Sequence, residues 1–427
     1  MNNEDRNKIQ STRVGAQHRQ RNKVIRNWII GILGVICMVA VGVGLYARHL
    51  YSTAEQAANK AYDQENAVKT TYGEFNGKKP FAVLLLGTDT GALDRTDKMG
   101  NTDTLIIVVV NPKKKGYTMY SIPRDTMADM VGDNSGDVAK INSAYARGGA
   151  KMTMQTVSDL LNVPVKYYAL VNMGGLMKLV NYVGGIYVTP PLTFTYSGFP
   201  FKKGVKQHLN GQAALAYSRM RYDDPKGDYG RQLRQREVIT KLISKLATTA
   251  SLKNFTKIAD NLSSNVKTNL SFQVLKSILA NYSNCTSNAS SDYLQGYSAY
   301  IDDAAYQIAP TSELQRLSNK IRKELGLKTA TVSNRETELN KLNEANGFDF
   351  TSDQTQTYKI YSSSTTVNEV KEKKESKSSS KKTAASSSAA AQSGTGTNAG
   401  TYSYSNSNNS AYSISSYDTN PFSSGGY

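Results

Sequence analysis

The sequence predicts an α/β fold: an α-β-α sandwich with a central, largely buried mixed sheet, preceded by one transmembrane helix. Three observations carry this reading. The runs FAVLLL from Phe81 and TLIIVVV from Thr104 are β-branched and apolar without alternation, as in strands covered on both faces. Amphipathic helical patterns alternate with such runs as far as residue 325, which calls for helices packed on a sheet. Finally, residues 28–46 contain no charged side chain, enough to cross a hydrocarbon core of about 30 Å as a helix.

The elements follow in order. Residues 1–27 are a basic tail, with Arg6, Lys8, Arg13, Arg19, Arg21, Lys23 and Arg26 against only Glu4 and Asp5. By the positive-inside rule this tail is cytoplasmic, residues 28–47 form an uncleaved signal-anchor, and the rest is extracellular. A cleaved signal peptide would have a shorter apolar region and a small-x-small site after it. Residues 48–79, rich in Ala, Glu, Gln and Lys, read as an extracellular stalk with little to bury. The folded domain is expected over 80–328. Strands at 81–86, 104–110 and 117–122 open it, and helices at 152–161 and 175–183 interleave with strands at 167–171 and 186–189. A helix at 210–220 is capped by Asn210, and a long one follows over 230–247 with Val238, Ile239, Leu242, Ile243 and Leu246 on one stripe. Helices at 252–262 and 272–282, a strand at 306–308 and a helix at 312–325 close the domain. Residues 329–427 lose apolar periodicity and run into KEKKESKSSSKK and a Ser-, Ala-, Gly- and Asn-rich end, a composition expected to be disordered.

Composition limits the chemistry. The net charge is +18, which usually raises nucleic acid as a partner, but the predicted topology puts the basic surface outside the cell. The polyanions there are lipid headgroups, lipid-linked pyrophosphates and phosphate-rich wall polymers. Cys37 lies in the predicted span and Cys285 outside it, so the two cannot pair, and Cys285 reads as a small buried apolar residue. The three histidines, His18, His49 and His208, allow neither a Ser-His-Asp triad nor a His-based zinc site. His208 reads as a local turn residue.

The segment 216–237, AYSRMRYDDPKGDYGRQLRQRE, is the most distinctive. Arg219, Arg221, Arg231, Arg234 and Arg236 are interspersed with Asp223, Asp224 and Asp228, and Lys226 is the one cation there that is not Arg. Arg presents a planar fork that grips phosphate oxygens in pairs. The competing reading is a helix surface laced with ion pairs. Three further motifs fall at predicted strand ends, where open sheets place ligands: Asp89 in LLLGTDT, Asp103 in GNTDT, and Arg124 with Asp125 in SIPRD. Two carboxylates at neighbouring strand edges suit Mg²⁺, with Mn²⁺ as the alternative. Arg231 and Gln235, four apart, share a face near the start of the long helix, where anions are favoured. Arg234 and Arg236 lie off that face and are expected to be surface charges.

Taken in order, LLLGTDT, NTDTLIIVVVNPKKK, YSIPRD, KINSAYARGG, VNMGGLMKLVNYVGGIYV, QHLNGQAALAYSRMR and GDYGRQLRQREVI resemble the LytR-CpsA-Psr family over residues 81–239. The resemblance implies a Mg²⁺-dependent, membrane-anchored phosphotransferase acting outside the cell. Such an enzyme moves a glycopolymer (wall teichoic acid, capsular or related polysaccharide) from a polyprenyl-pyrophosphate carrier to a muramic acid hydroxyl of peptidoglycan, with pyrophosphatase action as a side reaction. Carried over, Asp89 and Asp103 fall on the metal-associated acids, and Arg124, Arg219, Arg221, Arg231 and Gln235 on the pyrophosphate-binding positions. Many members have Arg two residues before the second acid, where this chain has Asn101; Arg95 is the candidate replacement. Arg124, Asp125 and Asp228 are the catalytic candidates, although either Asp could instead orient an Arg. The prenyl chain would run along the face that continues into Val238 and Leu242, unless those residues simply pack in the core. The rival class is a non-catalytic surface protein that binds lipid-linked or wall polyanions; the Asp89–Asp103 pair favours the enzyme. A transcriptional regulator is excluded because the cytoplasmic tail is too short to fold as a DNA-binding domain.

Overall fold

In the computed structural model, residues 48–376 are described, apart from 50, 57, 71–72, 92–99, 134–137, 249–264 and 375. The predicted anchor over 28–47, the predicted helix over 252–262, Arg95 and residues 377–427 therefore lie outside the described residues. No described helix is long and apolar enough to cross a membrane.

The sheet is built around β1 (Phe81–Thr88) and β2 (Thr102–Asn111), which pair antiparallel from Phe81↔Val110 to Leu86↔Leu105. β3 (Gly116–Ile122) extends β2 antiparallel, and the short hairpin β4 (Met127–Asp129) and β5 (Val138–Lys140) leads into helix α1 (Ala144–Leu161). β6 (Tyr167–Asn172) pairs parallel with β1, the register expected when a helix crosses over between them. Helix α2 (Met173–Tyr182), the short strands β7 (Ile186–Val188), β8 (Phe194–Tyr196), β9 (Phe199–Phe201) and β10 (Gln207–Leu209), and helix α3 (Gly211–Arg219) form a lobe beside the sheet. Next come helix α4 (Gly227–Thr248), β11 (Val266–Thr268), helix α5 (Phe272–Asn281) and β12 (Asn288–Tyr293). β13 (Tyr297–Ile301), β14 (Ala304–Ile308), helices α6 (Thr311–Glu324) and α7 (Arg335–Asn346), and β15 (Gln356–Thr357) complete the chain. The six-stranded sheet has the order β11-β6-β1-β2-β3-β12 and is mixed, as expected.

Both faces of the central strands are covered. Leu84 and Leu86 pack with Val157 and Leu160 of α1 and Leu314, Leu317 and Ile321 of α6. On the opposite face, Val83 and Leu85 meet Leu275 and Ile278 of α5, while Ile106 and Val108 meet Ile239 and Ile243 of α4. Each such side chain is worth about 1.5–3 kcal/mol when removed from water. The Asn210 cap is present, its side chain accepting from the Ala213 amide at 2.9 Å. Behind it α3 runs tight against α2: a Cβ on Gly211 would stand 2.2 Å from the Met177 carbonyl oxygen.

Two segments pack more than their composition suggested. The expected stalk over 48–79 lies against the domain. Ala54 and Ala58 are buried with Phe272, Phe75 joins the core, and Asp63 accepts from the Tyr168 hydroxyl at 2.5 Å. Small Ala side chains four apart make a packing stripe that a count of large apolar residues misses. The tail expected to be disordered from 329 also continues the fold: α7 buries Leu339 and Leu342, Phe348 and Tyr358 pack with β13 and β14, and β15 pairs with β13. Here polar residues fill interior positions. Asn340 donates to the Ala309 carbonyl at 3.0 Å and accepts from the Tyr358 hydroxyl at 2.8 Å; Asn343 donates to the Lys359 carbonyl at 2.9 Å. A helix that buries Glu336, Thr337, Asn340 and Asn343 beside Leu339 and Leu342 shows no apolar period.

Candidate functional site

The sheet face toward α4 and α5 is not filled. A cavity of about 880 Å³ opens there, floored by Val83, Leu85 and Val108 and walled by Leu242, Ile243 and Leu246 of α4 and Leu275 and Ile278 of α5. Its mouth is polar and lined by Asp89, Asp103, Arg124, Arg219, Arg221, Arg231 and Gln235. The residues that the resemblance assigned to metal and pyrophosphate thus share one opening, Arg95 excepted because it lies outside the described residues. Asn101, which stands where many family members have Arg, lines the mouth too.

Sheet geometry explains the convergence. Antiparallel pairing sets Leu105 opposite Ile122, so Asp103, just before, and Arg124, just after, emerge side by side. Arg124 Nη1 lies 2.6 Å from Asp103 Oδ1. Asp89 leaves the adjacent end of β1. Arg219 ends α3, Arg221 follows two residues on, and Arg231 and Gln235 occupy the first turns of α4.

The electrostatics favour an anion. Burial alone would lower the Arg124 pKa, but the Asp103 carboxylate, with help from Asp125 and Asp228, raises it above the usual guanidinium value. Arg231 is only 6% exposed, and burial pushes its pKa down despite Asp228 at 2.5 Å, with Arg124 and Arg221 pushing the same way. The Nε atoms of both Arg124 and Arg231 are buried and make no hydrogen bond. A buried charged donor without an acceptor is costly, and a phosphate oxygen would satisfy Arg231 Nε; Arg124 Nε faces the Asp125 carboxylate at 3.5 Å.

Asp125 and Asp228 sit behind this opening rather than in its lining. Asp125 lies 3.5 Å from Arg124 Nε and 3.3 Å from Lys140 Nζ. Asp228 holds Arg231 and accepts from Gln232 Nε2 at 2.8 Å. In this arrangement both carboxylates position cations.

Arg234 and Arg236 correct the sequence reading, for neither is a surface charge. Arg234 is 1% exposed; its Nε donates to the Tyr217 carbonyl at 3.1 Å, and its two Nη groups reach Asp224 and the Met220 carbonyl. Arg236 Nη1 donates to Ser121 Oγ at 2.7 Å, and burial lowers its pKa to about 10. The helical offset from Arg231 was read correctly, but that side of α4 faces α3 and the sheet rather than water. Gly230 makes room for this, since a Cβ there would come within 1.9 Å of Asp224 Oδ2.

Val238 and Leu242, left between channel lining and core packing, do both: they are buried with the lobe and also line the cavity. His208 is exposed in β10, its Nε2 2.9 Å from the Gly184 carbonyl, and Cys285 is a buried free thiol. Sequence reading missed Tyr222 and Asn142, which line the mouth. Neither belongs to a periodic pattern; the only signal for Tyr222 is its place next to Arg221.

For a metal, the donor chemistry is restrictive. Among the described residues no group of three or more His, Cys, Asp or Glu could hold an ion. Asp89 and Asp103 offer two hard oxygen donors at the mouth, which fits Mg²⁺, a cation that keeps waters and shares phosphate oxygens rather than requiring an all-protein cage.

A helix-covered mixed sheet with a cationic, carboxylate-bearing mouth over an apolar cavity defines an α/β protein shaped for an amphiphile with an anionic head. The chain belongs to the LytR-CpsA-Psr family, whose LytR_cpsA_psr family model matches residues 45–323. It is 41% identical over 308 residues to the polyisoprenyl-teichoic acid–peptidoglycan teichoic acid transferase TagU of Enterococcus faecalis, covering 72% of this chain and 99% of that protein. Among solved structures, a Streptococcus agalactiae protein is 40% identical with a TM-score of 0.56, over 61% of this chain and 93% of its own. TagT bound to LIIa-WTA is 28% identical with a TM-score of 0.50, over 61% of this chain and 96% of its own.

Proposed function

We propose that this protein is a membrane-anchored extracellular phosphotransferase. It moves a wall teichoic acid, capsular polysaccharide or related glycopolymer from a polyprenyl-pyrophosphate carrier to a peptidoglycan muramic acid hydroxyl. The observation that carries the proposal is the continuity between a cationic mouth and a large apolar cavity, the shape and polarity of a lipid pyrophosphate. The transferase name of the Enterococcus faecalis relative supports it. The uncharged segment 28–46 behind a basic tail supports single-pass anchoring with the domain outside.

In this reading Arg219, Arg221 and Arg231 grip the non-bridging pyrophosphate oxygens, and the prenyl chain lies along Val83, Val108 and Leu242. Arg124, held by Asp103 and Asp125, faces the phosphorus that is attacked. The acceptor oxygen forms a bond to the glycan-bearing phosphorus, the bond to the bridging oxygen breaks, polyprenyl phosphate departs, and the hydroxyl proton passes to solvent. Mg²⁺ or Mn²⁺, held by Asp89 and Asp103, would neutralise charge on the phosphates. Phosphoryl transfer needs positioning and charge neutralisation more than covalent help, which suits a site whose charged lining is Arg and Asp.

The Arg124–Asp103 pair also favours a second reading, a polyanion-binding protein without catalysis, because it neutralises one metal-site carboxylate internally. One experiment separates the two. The full chain in detergent is incubated with a polyprenyl-pyrophosphate glycan, Mg²⁺ and peptidoglycan oligomers, and covalent product is sought by mass spectrometry. Product that disappears with chelator and with Asp89→Ala supports transfer. Glycan binding without product, unchanged in Asp89→Ala, means a binding protein.

A further inference from the structure

We propose that Tyr222 is a stacking platform for a pyranose ring at the mouth of the cavity; the inference deepens, and rests on, the pyrophosphate reading. Tyr222 is 91% exposed, whereas the other exposed large apolar side chains among the described residues are at 48% or less. Large aromatic rings contribute to stability by burial, and this ring forgoes almost all of it. Its position is not arbitrary, because it lines the mouth of the cavity beside the phosphate-gripping arginines. The Arg221 guanidinium lies 5.8 Å from the ring centroid, which holds one face of the ring and leaves the other open. Apart from Arg221 it has no partner among the described residues.

The chemistry that matches an open aromatic face beside a phosphate site is a sugar ring. The C–H groups on one face of a pyranose are apolar and electropositive, and they lie flat on the electron-rich face of an aromatic ring. A sugar esterified to the pyrophosphate is joined through a single ester oxygen to a phosphorus whose non-bridging oxygens the arginines hold, so its ring falls within reach of Tyr222, the residue next to Arg221. Asn101 and Asn142 line the same mouth and offer amide donors and acceptors to hydroxyl groups. The apolar cavity accounts for the lipid and the arginines for the phosphates; Tyr222 and the two amides provide for the carbohydrate between donor phosphate and acceptor. The ring can come from the first sugar of the donor or from the acceptor glycan, and the two sources separate experimentally.

The test uses the full chain in detergent, native and as Tyr222→Ala and Tyr222→Trp. Calorimetry measures affinity for farnesyl pyrophosphate and for farnesyl pyrophosphate carrying N-acetylglucosamine. With a donor platform, Tyr222→Ala weakens the glycosylated probe roughly two- to tenfold and leaves the plain probe unchanged, while Tyr222→Trp restores binding. With an acceptor platform, both affinities are unchanged and the KM for peptidoglycan oligomers rises instead. Equal loss for both probes, which would mean Tyr222 only positions Arg221, overturns the inference. So does the absence of any change in donor affinity or acceptor KM. If the native chain binds neither probe, the pyrophosphate reading itself fails and this inference falls with it.

Discussion

Arg234 reaches from the third position after Arg231 to pair with Asp224 in the loop between α3 and α4, and both side chains are almost wholly buried. The same guanidinium donates to carbonyls at Tyr217 and Met220. One buried fork therefore fixes the end of α3, which carries Arg219, to the start of α4, which carries Arg231. Arg234, expected from the sequence at the surface, thus braces two helix ends, while Arg219, Arg221 and Arg231 line the mouth.

Breaking this pair should be costly. Arg234→Ala leaves Asp224 buried without its partner, and such losses run to about 3–5 kcal/mol. Gly230→Ala should act from the other side, because its methyl would occupy the space of the Asp224 carboxylate. Urea denaturation monitored by circular dichroism measures both. A loss under about 1 kcal/mol in each would show that the connection is held by other contacts.

Arg231 should behave in the opposite way. Its Nε is buried without a hydrogen bond while its Nη2 pairs with Asp228, so Arg231→Met made together with Asp228→Asn, which removes the whole pair, should leave the ligand-free protein about as stable as the native one. Affinity for farnesyl pyrophosphate should nevertheless fall by about 10- to 100-fold, the worth of one or two charge-assisted hydrogen bonds. Thermal shift with and without the pyrophosphate reads both quantities in one titration. Destabilisation of the ligand-free protein with unchanged affinity would reassign Arg231 to the core.

The cavity makes a prediction about chain length. Ile243→Trp adds volume to the apolar part while leaving the mouth intact. Long polyprenyl pyrophosphates should lose at least about tenfold in affinity, whereas inorganic pyrophosphate should bind as before. Equal binding of long chains by both proteins would mean that the lipid lies elsewhere.

Glu336 gives the fold a pH dependence. It is almost fully buried in α7, accepts from the Asp129 amide at 2.7 Å, and has its second oxygen unsatisfied. Burial, with the nearby Asp159 and Asp129 carboxylates, raises its pKa from an ordinary 4.5 to about 7. A carboxyl raised on folding is best tolerated protonated, so its full stability is present below about pH 4.5 and is lost as pH climbs to about 7. At about 1.4 kcal/mol per pH unit the loss is on the order of 3 kcal/mol. The charged groups that face it are Asp129 from β4 and Asp159 from α1. Denaturation from pH 4.5 to 7.5 should show the native protein falling relative to Glu336→Gln. Parallel curves would show that Glu336 does not titrate in this range.

Much of the sheet and most of the site were legible before any coordinates. The run FAVLLL needs covering on both faces, and its neighbours in sequence supply the helices. Acids and arginines in turns are common one by one; those at the strand ends stood out because they occur together with an Arg-rich segment in the order that the LytR-CpsA-Psr resemblance requires. Arg234, Arg236 and α7 were read wrongly for one shared reason. Their charges and amides are satisfied by partners distant in the fold (Ser121 for Arg236, Ala309 and Tyr358 for Asn340), and a polar residue with such a partner looks in sequence like a solvated one.

By itself the sequence determined most of the strand and helix pattern between Phe81 and Leu325 and the set of charged residues available for a phosphate site. These depend on local periodicity and residue chemistry, which a linear chain displays in full. Only the tertiary structure decided which arginines line the mouth and which brace, that a cavity opens among the apolar side chains between the sheet and α4 and α5, and that Tyr222 stands open at its mouth. Those outcomes turn on which way a helix face points once it has docked, and docking is settled by contacts between residues far apart in the chain.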